Sequence, residues 1–129
     1  MNLTYSEICS PGGRTGNQDC AGWKAGGGKA CFVVCDGLGA YSGSGIASNI
    51  CVRSVCDGFM EKGEPTKSSV GELVFEAHCR ITEEKTENGY IDGACTTFAG
   101  LFTDGTRTVI AHIGDSRVYR FRAGKIRFC

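Results

Sequence analysis

Hydrophobic positions along the chain change their spacing twice, and these changes predict strands, then helices, then strands again. The run ACFVVC at residues 30–35 is continuous, apolar and rich in β-branched residues, which is typical of a strand buried on both faces. The glycine-rich residues 22–29 before it predict a hairpin loop that leads back to an earlier strand.

Two amphipathic helices are predicted in the middle of the chain. Apolar residues recur at helical spacing over residues 46–59, after a glycine-rich turn in which Ser42 or Ser44 is expected to cap the helix. A second helix is expected to begin at Ser69, where Glu72 completes a capping box, and to continue along an apolar face.

From residue 93 onward the pattern becomes extended, with short alternating segments separated by turn residues, which predicts a β-meander. The dipeptide Asp104-Gly105 favours a two-residue type I′ hairpin, in which both central residues have positive φ. Strands, two helices and then antiparallel strands predict an α+β fold with helices packed on a mostly antiparallel sheet.

The composition limits the classes of function. A chain of 129 residues forms one domain at most, and 14 basic against 14 acidic residues leave no broad positive field for nucleic acid or acidic lipid. We find no apolar run long enough to span a membrane and no export signal, so we expect a cytoplasmic protein without membrane or nucleic-acid partners.

The nine cysteines are an odd number and lack the paired spacing of zinc sites. In a chain without an export signal we expect them to be reduced thiols, several of them buried as small hydrophobic residues.

Three short polar motifs are candidates for chemistry. Asp36 ends the buried strand beside Gly37, Arg14 lies five positions before Asp19 in GGRTGNQD, and Asp115 lies in the turn GDSR. Carboxylates at strand ends suit hard cations, and a guanidinium suits phosphate. Each motif taken alone is equally typical of a solvated turn.

Taken together and in this order, R-x-x-N-Q-D, D-G-x-G after a strand, and A-x-I-G-D-S-R-x-Y resemble the metal-dependent protein phosphatase 2C (PPM-type) family, especially its bacterial members. The resemblance runs from about residue 5 to residue 128 and covers the N-terminal half of that domain. It implies the layered α-β-β-α sandwich of the family, with residues 1–129 as a partial domain that lacks the C-terminal half.

The resemblance also implies a role for each matching residue. Arg14 corresponds to the arginine that grips the substrate phosphoryl group, and Asp19 to a carboxylate that supports the metal site through its water shell. Asp36 corresponds to the carboxylate that bridges two Mg²⁺ or Mn²⁺ ions, and Gly37 to a backbone carbonyl ligand. Asp115 corresponds to a residue of a third, weaker metal position in bacterial members.

The implied reaction is hydrolysis of phosphoserine or phosphothreonine in a protein substrate by a metal-activated water. Leu38 cannot act as a general acid, so the histidine-assisted protonation proposed for animal members has no counterpart here. Because Cys35 adjoins Asp36, a further hypothesis is that thiol oxidation affects metal binding.

The two metal-binding aspartates of the family's second half are not found in this sequence. We therefore expect weak metal binding, little or no activity from this chain alone, and self-association through exposed sheet edges. The alternative is a non-catalytic phosphatase-like module that binds a phosphoprotein or a regulatory partner through the Arg14 side of the cleft. A nucleotide-binding unit is disfavoured, because the chain has no G-x-x-x-x-G-K-[ST] motif.

Overall fold

The described residues form antiparallel β-strands and two long helices. The structure, a computed structural model, describes residues 2–39 and 43–128. Its elements are β1 (Cys20–Gly26), β2 (Lys29–Cys35), α1 (Ser44–Glu61), α2 (Lys67–Glu87), a short 3-10 helix (Gly89–Ile91), β3 (Phe98–Thr103), β4 (Thr108–Ile113), β5 (Arg120–Arg122) and β6 (Lys125–Phe128).

The strands form a four-stranded antiparallel sheet in the order β1-β2-β3-β4 and a separate hairpin of β5 and β6. Helix α1 packs on β1 and β2, and α2 packs on α1 with a smaller contact to β4. This arrangement confirms the predicted α+β class, with two helices against an antiparallel sheet. In the part of the chain that the structure describes, neither helix is both long and apolar enough to cross a bilayer.

The hydrophobic core lies between the helices and one face of the sheet. Phe59 of α1 and Phe102 of β3 are fully buried and meet edge to face, with ring centroids 5.1 Å apart. Burial of such side chains is the main favourable contribution to folding. The same cluster contains four buried cysteines of β2 and α1, namely Cys31, Cys35, Cys51 and Cys56.

The opposite face of the sheet is only partly covered. Val34 points away from the core and is 50% exposed, so the prediction that β2 is buried on both faces was wrong for this chain. The N-terminal segment supplies some cover, because the Tyr5 ring packs on Trp23 with a centroid distance of 3.8 Å and lies 6.0 Å from Phe32. The β2 strand therefore has one buried and one largely open face.

The predicted loop over residues 22–29 is mostly strand. Strand β1 continues to Gly26, and only Gly27 and Gly28, both with positive φ, form the turn to β2. Trp23 and Lys24 lie within β1 and pair across the ladder with β2, so backbone hydrogen bonds extend the strand into the glycine-rich segment.

Both helix starts differ from the prediction. Gly43 is the N-cap of α1 and Ser44 is its first residue, while Ser42 lies outside the described residues. In α2 the N-cap is Thr66, whose hydroxyl accepts a hydrogen bond from the Ser69 backbone N–H at 3.2 Å. Thr66 has an extended backbone at the point where the chain enters the helix, which places its oxygen over the unpaired N–H groups of the first turn.

The loop between β3 and β4 is also longer than predicted. Thr103 pairs with Thr108, which leaves a four-residue connection in which Gly105 has positive φ and Asp104 does not. The Asp104 carboxylate accepts hydrogen bonds from the backbone N–H groups of Thr106 at 2.9 Å and Arg107 at 2.7 Å. This side-chain turn replaces the predicted type I′ hairpin.

Candidate metal and phosphate site

A cleft of about 560 Å³ opens at the edge of the sheet where β2 ends and β3 begins. Three residues that the sequence singled out, Arg14, Asp36 and Asp115, line this cleft. Its other lining residues are Leu38, Gly39, Thr97 and Gly114. Motifs that lie more than twenty positions apart in sequence are thus brought together by the fold.

Asp36 is fixed by the residues that lead into β3. Its backbone N–H donates to the Thr97 hydroxyl at 3.0 Å, and its carbonyl accepts from the Thr97 N–H at 2.9 Å. The Thr96 hydroxyl donates to the same carbonyl at 3.1 Å. The backbone that carries the Asp36 carboxylate is therefore held from one side by three hydrogen bonds.

Asp19 and Gly37 reach the same corner through the loop before β1. The Asp19 side chain lies close enough to the Asp36 carboxyl group to raise the pKa of Asp36. The Gly37 N–H donates to the Gln18 carbonyl at 3.2 Å, and the buried Ser48 hydroxyl of α1 donates to that same carbonyl at 2.6 Å. The loop that carries Asp19 is thus attached both to the residue after Asp36 and to the core helix.

The crowding of carboxylates changes the acidity of Asp36. Partial desolvation raises its pKa most, followed by the hydrogen bond and the negative charge of Asp19 and by the charge of Asp115. The positive charge of Arg14 opposes this rise in pKa without cancelling it. A carboxylate with these neighbours is stabilised by any cation that enters the cleft.

Arg14 lines the same cleft as Asp36 and Asp115. Its guanidinium is seated directly on Gly39, so close that a methyl group added at Gly39 would be 2.5 Å from Nη1. The Arg14 backbone N–H donates to the Pro11 carbonyl at 3.1 Å. A planar cation on the rim of an acidic cleft is suited to hold a phosphoryl group whose remaining oxygens face bound cations.

Asp115 is carried by the turn after β4. Gly114 has a φ of 92°, a left-handed conformation that favours glycine, and a Cβ at this position would be 2.9 Å from the Thr97 methyl group. Ser116 on the other side of Asp115 is hydrogen-bonded to the Thr97 hydroxyl, with 2.5 Å between the two oxygens. The turn is therefore anchored on both sides of Asp115.

The donor chemistry of the cleft suits Mg²⁺ or Mn²⁺, which prefer carboxylate, carbonyl and water oxygens. Partial desolvation, and after it the nearby Asp19 and Asp115, raise the pKa of Asp36. Across residues 2–39 and 43–128, however, no three His, Cys, Asp or Glu side chains converge closely enough to hold a metal ion. The residue types suit a hydrated divalent cation. The described carboxylates are too few to replace most of its water ligands.

Sequence reasoning missed the residues that hold the cleft in shape. Thr97, Ser116 and Ser48 each make a hydrogen bond that joins two distant segments. A signal for Thr97 was present, since a polar Thr96-Thr97 pair immediately precedes the apolar strand β3. Gln18 Oε1 is buried without a hydrogen-bond partner, and nothing in the described residues explains it.

Cys35 lies beside the cleft but is fully buried in the core. A hydrogen bond with Cys51, together with burial, strongly raises the pKa of the Cys35 thiol. A protonated and shielded thiol is a poor nucleophile, so the structure does not favour oxidation of Cys35 as a means of altering the site.

A family model described as protein phosphatase 2C matches residues 13–128 of the chain. Among solved structures, the Mycobacterium tuberculosis serine/threonine phosphatase PstP/Ppp superposes with a TM-score of 0.72 at 26% identity, covering 89% of this chain and 48% of that one. The Staphylococcus aureus serine/threonine phosphatase Stp1 superposes with a TM-score of 0.78 at 19% identity, covering 99% and 56%.

A PstP catalytic domain in complex with two manganese ions superposes with a TM-score of 0.74 at 23% identity, covering 88% of this chain and 48% of that one. No curated protein sequence matches the chain significantly. The chain spans about half the length of the phosphatases that it matches in structure. Because the family model covers most of its residues, the chain belongs to the protein phosphatase 2C family.

Proposed function

We propose that this chain carries part of the catalytic site of a metal-dependent protein serine/threonine phosphatase, which hydrolyses phosphoserine and phosphothreonine in proteins. The observation that supports this most directly is the cleft that Arg14, Asp36 and Asp115 line together. One side of such a cleft binds phosphate and the other binds divalent cations, which is the combination that phosphate-ester hydrolysis requires.

In this proposal Arg14 binds the phosphoryl oxygens and orients the phosphorus atom toward the carboxylates. Asp36, Asp19, the Gly37 carbonyl and Asp115 hold Mg²⁺ or Mn²⁺. When bound, such ions supply an acidified water for attack on phosphorus and offset the negative charge of the transition state.

The leaving serine or threonine oxygen needs a proton when its bond to phosphorus breaks. Leu38 lines the cleft and carries no titratable group, and the described lining of the cleft contains no histidine. The leaving oxygen therefore takes its proton from water in this proposal.

We expect the chain by itself to bind Mn²⁺ weakly and to show little or no turnover of a phosphate monoester. Its described residues supply few carboxylates, and the matched phosphatases are about twice as long. Each further carboxylate ligand would strengthen binding of a hard cation, which otherwise keeps most of its water.

The test is a Mn²⁺ titration of the purified chain followed by the electron paramagnetic resonance signal of free Mn²⁺. Asp36→Asn should abolish the saturable binding, whereas Asp57→Asn, which removes a carboxylate from the surface ion pair with Lys24, should leave it unchanged. Equal Mn²⁺ binding by the Asp36→Asn variant and the unsubstituted chain would contradict the metal-site proposal.

The second candidate is a non-catalytic module that binds a phosphoprotein through Arg14. It is favoured by the shortage of converging carboxylates in the described residues, because phosphate binding by a guanidinium does not need a metal ion. Binding of a phosphothreonine peptide in EDTA that persists in Asp36→Asn and is lost in Arg14→Ala would support this candidate over the enzyme.

A further inference from the structure

Thr97 lies between Asp36 and the turn that carries Asp115, and it contacts both. Thr97 is 8% exposed and directly precedes β3. The hydroxyl accepts from the Asp36 backbone N–H at 3.0 Å and lies 2.5 Å from the Ser116 hydroxyl. One oxygen atom therefore connects the end of β2 with the turn that follows β4.

This connection crosses the sheet. Strands β2 and β4 are not neighbours, since β3 lies between them, so backbone ladder bonds do not join the two ends that carry Asp36 and Asp115. The Thr97 hydroxyl already accepts from Asp36, which leaves its proton available for Ser116. The side-chain bond thus directly links two strand ends that the ladder connects only through β3.

The methyl group of Thr97 adds a second, non-polar contact. It lies against Gly114, where an added Cβ would approach it to 2.9 Å. Gly114 and Ser116 flank Asp115, so the two branches of one side chain contact the turn on both sides of that carboxylate. Threonine is the residue type that offers a hydroxyl and a methyl group at this position.

We propose that Thr97 is a positioning residue that holds Asp36 and Asp115 at a fixed separation for divalent cation binding. The inference rests on the proposed function, because it concerns residues that hold the cation there. Removing a group that orients a metal ligand, without itself binding the metal, typically lowers metal affinity about 10-fold to 100-fold.

The test compares Thr97→Val, which keeps the shape and removes the hydroxyl, with Thr97→Ser, which keeps the hydroxyl. We expect Mn²⁺ affinity to fall about tenfold in Thr97→Val and to be largely retained in Thr97→Ser. Thr103→Val is the matched control, because Thr103 lies at the other end of β3 and is 7% exposed. Among the described residues its hydroxyl is hydrogen-bonded to the β3–β4 loop and to β4. It should lose stability without losing Mn²⁺ affinity.

A purely structural role for Thr97 predicts equal losses of stability and no specific loss of Mn²⁺ affinity, and that result would overturn the proposal. If Thr97→Val does not fold, Ser116→Ala replaces it, since this variant cuts the link to the turn and leaves the bond between Thr97 and Asp36 intact. Unchanged Mn²⁺ affinity in Ser116→Ala would likewise overturn the proposal.

A metal-free measurement separates this inference from the proposed function. In EDTA, Thr97→Val should shift the ¹H–¹⁵N signals of both Asp36 and Asp115, and Thr103→Val should shift neither. If the unsubstituted chain binds no Mn²⁺, the proposed function fails. The signals measured in EDTA then test by themselves whether Thr97 connects Asp36 with Asp115. An unmoved Asp115 signal in Thr97→Val overturns that connection.

Discussion

The guanidinium of Arg14 rests on Gly39 without room for a side chain there. Gly39→Ala would place a methyl group 2.5 Å from Arg14 Nη1, so the guanidinium must move. We expect affinity for a phosphothreonine peptide to fall about tenfold, as for the loss of one charge-assisted hydrogen bond. Fluorescence anisotropy of a labelled peptide measures this change.

Stability should change little in Gly39→Ala, because the displaced atoms are the end of a flexible side chain. Gly13→Ala is the matched control in the same loop as Arg14, with no atom within 4 Å of the added methyl group. Equal peptide affinities of the two variants would show that the position of the guanidinium on Gly39 is unimportant for phosphate binding.

The raised pKa of Asp36 predicts that its contribution to stability decreases as pH rises. Because its pKa is raised in the folded chain, folded Asp36 binds a proton more readily than unfolded Asp36, so its contribution to stability is greatest below the unfolded pKa and is lost as pH rises through the folded pKa. In EDTA, Asp36→Asn should therefore raise the melting temperature at pH 7 and have less effect at pH 3.

Asp104 provides a control of opposite sign. Backbone hydrogen bonds from Arg107 and Thr106 lower its pKa, so its contribution is present above the unfolded pKa and is lost as pH falls through the folded pKa. Asp104→Asn should lower the melting temperature at pH 7. A lower melting temperature for Asp36→Asn at pH 7 in EDTA would contradict the crowding of carboxylates described for the cleft.

Among single residues, the sequence pointed to the charged groups that line the cleft but not to the residues that hold them in place. Arg14, Asp36 and Asp115 lie in motifs whose residue types suggest their chemistry. The bond between Asp36 and Thr97 joins residues 61 positions apart, and such a pairing depends on the register of β2 against β3. Local spacing carries no information about that register.

Among the elements, Lys29 at the start of β2 attaches the β1–β2 hairpin to the end of helix α1. Lys29 donates through Nζ to the carbonyl of Phe59 in the last turn of α1 at 2.9 Å and to the carbonyl of Gly63, just beyond the helix, at 3.1 Å. Its ammonium group also lies 5.4 Å from the centre of the Phe59 ring. The positive charge complements the negative end of the helix.

We expect Lys29→Met to lower the free energy of unfolding by roughly 1–2 kcal/mol, since the apolar stem is kept and the charged hydrogen bonds are lost. Urea denaturation at pH 7 measures the change. Lys24→Met, which removes an exposed ion pair with Asp57 from the neighbouring strand, should have little effect. A loss in Lys29→Met no larger than in Lys24→Met would contradict the capping role.

The order and type of the elements followed from hydrophobic spacing, whereas the element ends did not. A continuous apolar run identified β2, and apolar residues at helical spacing identified α1 and α2. The ends are set by single hydrogen bonds, such as that between the Thr66 hydroxyl and the Ser69 N–H, and the nearby Ser68 and Ser69 compete in sequence as alternative N-caps. A pattern averaged over several residues does not resolve that competition.

In the whole molecule, an apolar groove of about 740 Å³ lies open between α2 and β4. Phe75 of α2 is 66% exposed and Ile113 of β4 is 58% exposed along it. Strand β4 is also an outer strand of the described sheet, so the backbone groups on its far side are free to pair with another strand. The formal net charge is zero, so no long-range repulsion opposes contact between two copies.

We therefore expect the chain to self-associate as its concentration rises, and Ile113→Lys to reduce this association by placing a charge at the groove and the open strand. Sedimentation velocity over a range of concentrations measures it. Ile8→Lys, at a 95% exposed position outside the sheet, should leave the association unchanged. A chain that stays monomeric throughout the range, or an equal effect of the two variants, would contradict this expectation.

The buried cysteines between β2 and α1 have a practical consequence. Cys31 lies beside Cys56, and Cys35 beside Cys51, and all four residues are at most 4% exposed. A thiol reagent in water reaches them only when the helix separates from the sheet, whereas Cys9 and Cys95 are exposed from the start. The slow labelling rate of the four buried thiols thus reports how often the core opens, and no probe needs to be introduced into the chain.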